Sequence, residues 1–174
     1  ASSLYGRPRQ VMAVTADGDY FRIKRYDLRS GRTFSPQEGV TGANVIVIGT
    51  EVAEHFFPGL DPIGRDLRIQ GVPYSVIGLI EKQGSVFGFS MDRLAIAPYT
   101  SPMGRIIRPS RDVSSLIVQA PSQADLAEGI EVADGALRAF RRKLASYPDN
   151  GGRITQDAAF GLIKQLKGRF VLFG

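Results

Sequence analysis

The stretch FFPGLDPIGRDLRIQGVPYSVIGLIEKQGSVFG, Phe56 to Gly88, decides how this chain folds. Pro58-Gly59 stops the helix expected before it, because proline cannot continue a helix and glycine accepts a left-handed exit. Asp61-Pro62 initiates a turn. Pro62 fixes φ, and Gly64 permits a left-handed residue before Arg65 leads into a strand. Leu67 and Ile69 alternate with Asp66, Arg68 and Gln70, one apolar and one polar face at strand period. Gly71-Val72-Pro73 is expected to make the next turn, and Tyr74 to Ile80, apolar on both faces, a central strand. Gln83 to Ser90 reads as a glycine-punctuated loop that carries Phe87 and Phe89. Each marked residue before that loop has a backbone task, and none has acid–base chemistry to do.

Upstream, residues 10–16 (QVMAVTA) read as a strand, Gly18-Asp19 and Ser30-Gly31 as turns, and Tyr20 to Leu28 as a mixed segment. Asn44 to Ile48 is β-branched and bounded by Gly42 and Gly49, the signature of a buried strand. Thr50 is then expected to cap a short helix, Glu51 to Phe57, with Glu51 favourable in its first turn. Downstream, Leu94 to Ala97 reads as a strand stopped by Pro98. Residues 99–112, rich in Pro, Gly, Ser and Arg, read as a junction between two subdomains. Ser115 to Gln119 is expected to be a strand. Ser122 is expected to cap a long helix, with Asp125 in a capping-box position. Leu126, Ile130, Ala133, Leu137, Phe140 and Leu144 fall on one face of that helix, and Arg138, Arg141, Arg142 and Lys143 complement its dipole near the end. After the loop Pro148 to Gly152, a final helix is expected beyond Thr155, with Phe160, Ile163 and Leu166 inward. Strands first, then strand and helices, make an α+β pattern.

The 174 residues suffice for one ordinary domain or two small subdomains, and 43% hydrophobic with 22% charged residues is a globular composition. No apolar run reaches the roughly 18 residues a spanning helix needs. The chain begins with Ala1, which reads as a processed fragment. The tail Phe170-Val171-Leu172-Phe173 reads either as a packed C-terminus or as the first turn of a membrane helix. Without cysteine there is no disulfide framework, thiolate metal site or Cys nucleophile. Much of the +5 net charge sits in the first 33 residues. There Arg7, Arg9, Arg22, Lys24, Arg25, Arg29 and Arg32 are spread singly among apolar residues. With no nucleic-acid-binding signature beside them, they read as a solvated face and not as a nucleic-acid interface.

No catalytic, cofactor-binding or metal-binding residues are identified. His55, the single histidine, shares a helix face with Glu51 at i, i+4, but two ligands without a third do not define a metal site. No serine lies in a G-x-S-x-G elbow. Gly49-Thr50 between strand and helix lacks both phosphate-loop patterns and reads as an ordinary turn. Asp17, Asp19, Asp61 and Asp66 sit at turns, where aspartate is expected. Phe87 and Phe89, aromatics flanked by glycine, are the candidate partner contacts, with folding back onto the hairpin as the alternative.

Five linked elements carry a family resemblance: Gly31-Arg32-Thr33-Phe34; Val45-Ile46-Val47-Ile48-Gly49; Glu51-Val52-Ala53-Glu54-His55-Phe56-Phe57-Pro58; Asp61-Pro62-Ile63-Gly64-Arg65; and Ser75-Val76-Ile77-Gly78-Leu79, with Ala95-Ile96-Ala97-Pro98 after them. In order and spacing they resemble the MacB-like periplasmic core domain of FtsX-family ABC transporter permeases, over about Tyr20 to Pro98. The resemblance implies a β-rich inserted, sabre-like subdomain at residues 10–105 with one short helix. It also implies a porter-like strand-helix-helix segment at 113–170 that leads towards a membrane helix. The family domain ordinarily opens with a further strand-helix-strand segment, whereas only ten residues precede Val11, so the porter-like part is expected to be partial.

Functionally, the resemblance implies a non-enzymatic extracytoplasmic domain that couples ATP-driven movement of membrane helices to substrate or partner handling outside the membrane. This would be mechanotransmission of an export or lipoprotein-release type. ATP is expected on a separate ATPase domain or subunit. The implied partners are the permease's own transmembrane helices, an ABC ATPase, a second or paired permease copy and a periplasmic adaptor. The alternative reading is an extracytoplasmic module that binds a hydrophobic ligand, peptide or lipoprotein through the Phe87/Phe89 loop. A hydrolase using Asp, Ser and His55 is the third.

Overall fold

A computed structural model describes residues 1–86, 89–107, 117, 119, 122 and 125–145. The chain divides into two compact units, Ala1–Pro109 and Ser110–Gly174. The expected strand at Ser115–Gln119 apart from Ile117 and Gln119, the final helix, the Phe170–Phe173 tail and Phe87 lie outside the described residues.

The first unit is an α+β fold built on a mixed sheet. Its strands are β1 (Met12–Ala16), β2 (Leu28–Gly31), β3 (Val45–Ile48), β4 (Asp66–Ile69), β5 (Val72–Ile80) and β8 (Leu94–Pro98). They run in the order β1-β8-β3-β5-β2, and β4 also pairs with β5. β1 is parallel to β8 and β3 to β5, while the remaining pairs are antiparallel. Two-residue alternation sends side chains to opposite faces. Ile46, Ile48, Ala95 and Ala97 join one apolar cluster, and Val47, Leu94 and Ile96 the other. The first cluster is closed by α3 (Thr50–Phe56), whose Val52, Ala53 and Phe56 form a stripe, and by Met103 of α4 (Pro102–Ile107). On the second, Phe21 of α1 (Tyr20–Ile23) meets Phe34 edge to face at 5.1 Å. Both faces are therefore covered, which is why β5 and β8 are apolar along their length.

The marked residues of the sequence signature meet in space. Val45 and Ile46 pair with Ser75 and Val76, but Val47 pairs with Gly78, so Ile77 is an extra residue in β5. This bulge reverses the alternation, and Leu79 can then return to the cluster that holds Val76. A side chain at Gly78 would run into the Arg32 carbonyl, and one at Gly31 into the Ile77 carbonyl, so the two strands approach by backbone alone. Arg32 forks onto Glu38 at 2.7 and 2.8 Å. Glu38 also closes a capping box with Ser35 at the start of α2 (Pro36–Thr41). Arg32's bonds, first of all, hold the Glu38 carboxyl down to about 2.

The Asp61 turn forms as expected. Asp61 accepts from Ile63 N–H at 3.0 Å, Arg65 N–H donates to Pro62 at 3.1 Å, and Gly64 has φ 78°. Four details differ from the sequence reading. Gly49, not Thr50, is the N-cap of α3: its extended backbone presses on the Asp92 carbonyl where any Cβ would collide, and Thr50 is buried. The β4–β5 turn is Gln70-Gly71, both with positive φ (48° and 84°), because Ile69 pairs with Val72; Val72 and Pro73 belong to β5. Two positive φ values suit the right-handed strand twist of a two-residue hairpin. Within the 99–112 stretch, α4 forms, and it buries Met103. The Gln83–Ser90 loop contains a two-stranded ribbon, β6 (Ser85–Val86) and β7 (Phe89–Ser90).

In the second unit, α5 (Leu126–Ala145) follows a turn in which Asp125 N–H donates to Ser122 Oγ at 3.3 Å. Asp134 and Arg138 pair at i, i+4 on its surface. Ala133 and Leu137 of the expected stripe are half-buried, and Ile130 is exposed.

Candidate functional site

The ribbon is set apart from the main sheet as a sheet of its own, with Ser85 paired to Ser90 and Val86 to Phe89. Phe89 is thus placed on the return strand of the ribbon. Two residue pairs do not make a stable hairpin in water, so the ribbon depends on its root.

Asp92 makes that root. It is 6% exposed, and its two carboxylate oxygens accept from Gln83 N–H at 2.7 Å and Gly84 N–H at 3.0 Å. Met91 N–H donates to the Gly84 carbonyl at 2.9 Å, closing the two sides of the ribbon together. The Asp92 carbonyl accepts from Glu51 N–H at 3.2 Å, and Gly49 N–H donates to Leu94 at 2.8 Å. The backbone amides at the start of α3 are thus engaged by the segment leaving the ribbon. This explains the glycine-threonine turn without a phosphate. Glu51 accepts from Arg9 and Arg93, both at 3.0 Å. Ser90, first, and then Arg93 and Arg9 hold its carboxyl below the ordinary range.

His55 and Glu51, one turn apart on α3, are not brought together. His55 Nε2 lies 2.9 Å from the Arg7 carbonyl, and its ring meets Phe56 edge-on. The N-terminal arm runs along this helix. Ser3 donates to the Phe56 carbonyl at 2.6 Å, and Tyr5 stacks obliquely on Phe57 while its hydroxyl accepts from Arg65 at 3.0 Å. Arg9 and Arg65 therefore make specific side-chain contacts as well as adding surface charge, and Arg7 contributes its backbone carbonyl. Neither the arm's course nor the role of Asp92 is legible in the sequence. An aspartate ahead of a strand looks like any turn residue, and the arm's contacts reach more than 40 positions away. Among the described residues, no group of three or more His, Cys, Asp or Glu side chains converges as a metal set, and no helix is long and apolar enough to cross a membrane.

A mixed sheet covered on both faces, with a ribbon rooted on a buried aspartate, describes a folded module without a convergent metal-ligand cluster among the described residues. The sequence matches the MacB-like periplasmic core domain over residues 2–136. The chain belongs to that family. The macrolide export ATP-binding/permease protein MacB of Neisseria meningitidis serogroup A is 30% identical over 167 residues, which cover 95% of this chain and 24% of that protein. MacB of Nitrobacter winogradskyi is 30% identical over 129 residues, 73% of this chain and 20% of that protein. The chain therefore spans about a quarter or less of the length of these curated relatives. Among solved structures, the extracellular domain of the ABC-type transporter YknZ from Gram-positive bacteria matches with a TM-score of 0.55 at 23% identity. The match covers 73% of this chain and 65% of that one, and it shows a shared fold.

Proposed function

We propose that this chain is the extracytoplasmic domain of a MacB/FtsX-like ABC transporter permease, and that its work is mechanical. In this reading it is non-catalytic, lies on the outer face of the cytoplasmic membrane, and passes movement of the membrane helices to a substrate or partner outside. ATP is bound and hydrolysed on a separate ATPase domain or subunit, and two permease copies act together. Residues 10–105 are the inserted β-rich part and 113–170 the porter-like part. Family membership over residues 2–136 carries this reading. The use of the signature residues agrees with it: Gly31, Gly49, Gly64 and Gly78 serve close backbone approaches and turns and carry no chemistry.

One spin label can be placed at Val40→Cys, an exposed position on α2, in the full permease that carries this domain, with any cysteines outside these cysteine-free 174 residues replaced first. The label-to-label distance between copies should change between ATP-bound and nucleotide-free states. A distance distribution identical in both states overturns the mechanical reading.

A second reading, a contact surface for a peptide, lipoprotein or hydrophobic ligand, is favoured by the ribbon's separation from the main sheet. On that reading Phe87→Ala weakens capture of the partner and leaves the melting temperature nearly unchanged. A large loss of stability would make Phe87 a packing residue instead.

A further inference from the structure

We propose that Asp92 is the positioning residue of the β6–β7 ribbon: its side chain, more than the ribbon's own pairing, holds the ribbon at one angle to the sheet. The inference draws its functional weight from the contact-surface reading above, but its physical content concerns this chain alone.

Three observations carry it. The ribbon has two paired positions on each side, too few to persist unaided. The carboxylate of Asp92 is buried and takes two backbone N–H groups from the segment just before β6, those of Gln83 and Gly84. A buried carboxylate is costly without such donors, so the arrangement has one low-energy geometry. Asp92 itself is locked from behind: Gly49 lies against its carbonyl with no room for a side chain, Glu51 N–H donates to that carbonyl, and Asp92 N–H donates to Ser90 Oγ at 3.2 Å. Asp92 thus joins the segment leading into the ribbon to the first turn of α3.

Glu51 is the competing candidate, because it touches Ser90, Arg93 and Arg9. Its arginine partners are 40% and 44% exposed, and exposed ion pairs hold geometry weakly. Asp92 should therefore dominate.

Residue-resolved amide hydrogen exchange on the 174-residue chain separates these roles. Removing an acceptor for two N–H groups in Asp92→Ala should speed exchange at Gln83 and Gly84 by about tenfold or more. Asp92→Asn, which keeps one oxygen, should give about threefold. The core amides of Val76 and Leu79 should stay within about twofold in Asp92→Asn, and Glu51→Gln should leave the ribbon amides within about twofold. Unchanged exchange at Gln83 and Gly84 in Asp92→Asn overturns the proposal. So does acceleration of the core amides by the same factor, which would make Asp92 a general stability residue. If Asp92→Ala does not fold, Asp92→Asn decides alone. Exchange is measured without any partner, so a failed contact surface (partner capture intact in Phe87→Ala) and a failed positioning role give separate signals.

Discussion

The two hairpins of the first unit, β4–β5 and β6–β7, are built from similar words and held in different ways. Each has a glycine with a left-handed φ, Gly71 in the first and Gly84 at the entrance of the second. The β4–β5 hairpin carries its own reason to exist. Leu67 and Ile69 point into a core cluster with Tyr74 and Val76, and the partner strand β5 also pairs with β2 and β3. Burial of such side chains contributes about 1.5–3 kcal/mol each. The β6–β7 ribbon has two paired positions and leans on a carboxylate from outside itself. The first hairpin is specified by its own apolar pattern, and the second is pinned by a residue beyond it.

Leu67→Ala should break the first hairpin and the domain with it. Leu67 has no exposure, and truncation in a tight core costs about 2–5 kcal/mol. Urea unfolding should show the midpoint fall with an unchanged slope. Gly71→Ala sharpens the comparison by leaving the core intact. Nothing lies within 4 Å of the added methyl, so the cost is conformational, about 1 kcal/mol.

Glu38→Gln tests a polar anchor elsewhere in the unit. Arg32 is 56% exposed, so the loss should be about 1 kcal/mol or less. The pH dependence is more telling. Glu38's carboxyl lies at about 2 in the fold against an ordinary 4.5. Its contribution is therefore complete above about pH 4.5 and lost as pH falls towards 2. Melting temperatures taken from about pH 6 to about pH 2.5 should fall less steeply in Glu38→Gln than in the wild type. The smallest effect on stability is expected from Phe87→Ala, within about 0.5 kcal/mol. A larger shift in thermal unfolding would tie the ribbon tip to the core and erase the contrast between the hairpins.

Much of the first unit is legible in the amino-acid pattern. Val45–Ile48, Leu67/Ile69 and Tyr74–Ile80 announce strands because side chains buried on one face or both must be apolar at fixed spacing. The Asp61–Arg65 turn is legible because proline and glycine restrict and free φ in ways few other contexts require. Differences arise where a local signal has two readings. Thr50 looks like a cap, but the backbone of Asp92 occupies the place beside residue 49 and leaves room only for glycine there. Gly71-Val72-Pro73 looks like a turn, but the register of Ile69 with Val72 moves it to Gln70-Gly71.

The candidate site is less legible. Phe87 and Phe89 stand out by composition, whereas Asp92 does not, because nothing near it in the chain announces two amide partners eight and nine positions earlier.

By itself the sequence determined the α+β class, the positions of most strands along the chain and the family, since these rest on local periodicity, turn chemistry and linked motifs. Only the tertiary structure decided that Ile77 is a bulge, that Gly31 and Gly78 admit each other's backbone, that the N-terminal arm lies along α3, and that a buried aspartate roots the ribbon. Those outcomes depend on which distant backbones come close, and long-range proximity is written in no single stretch of the chain.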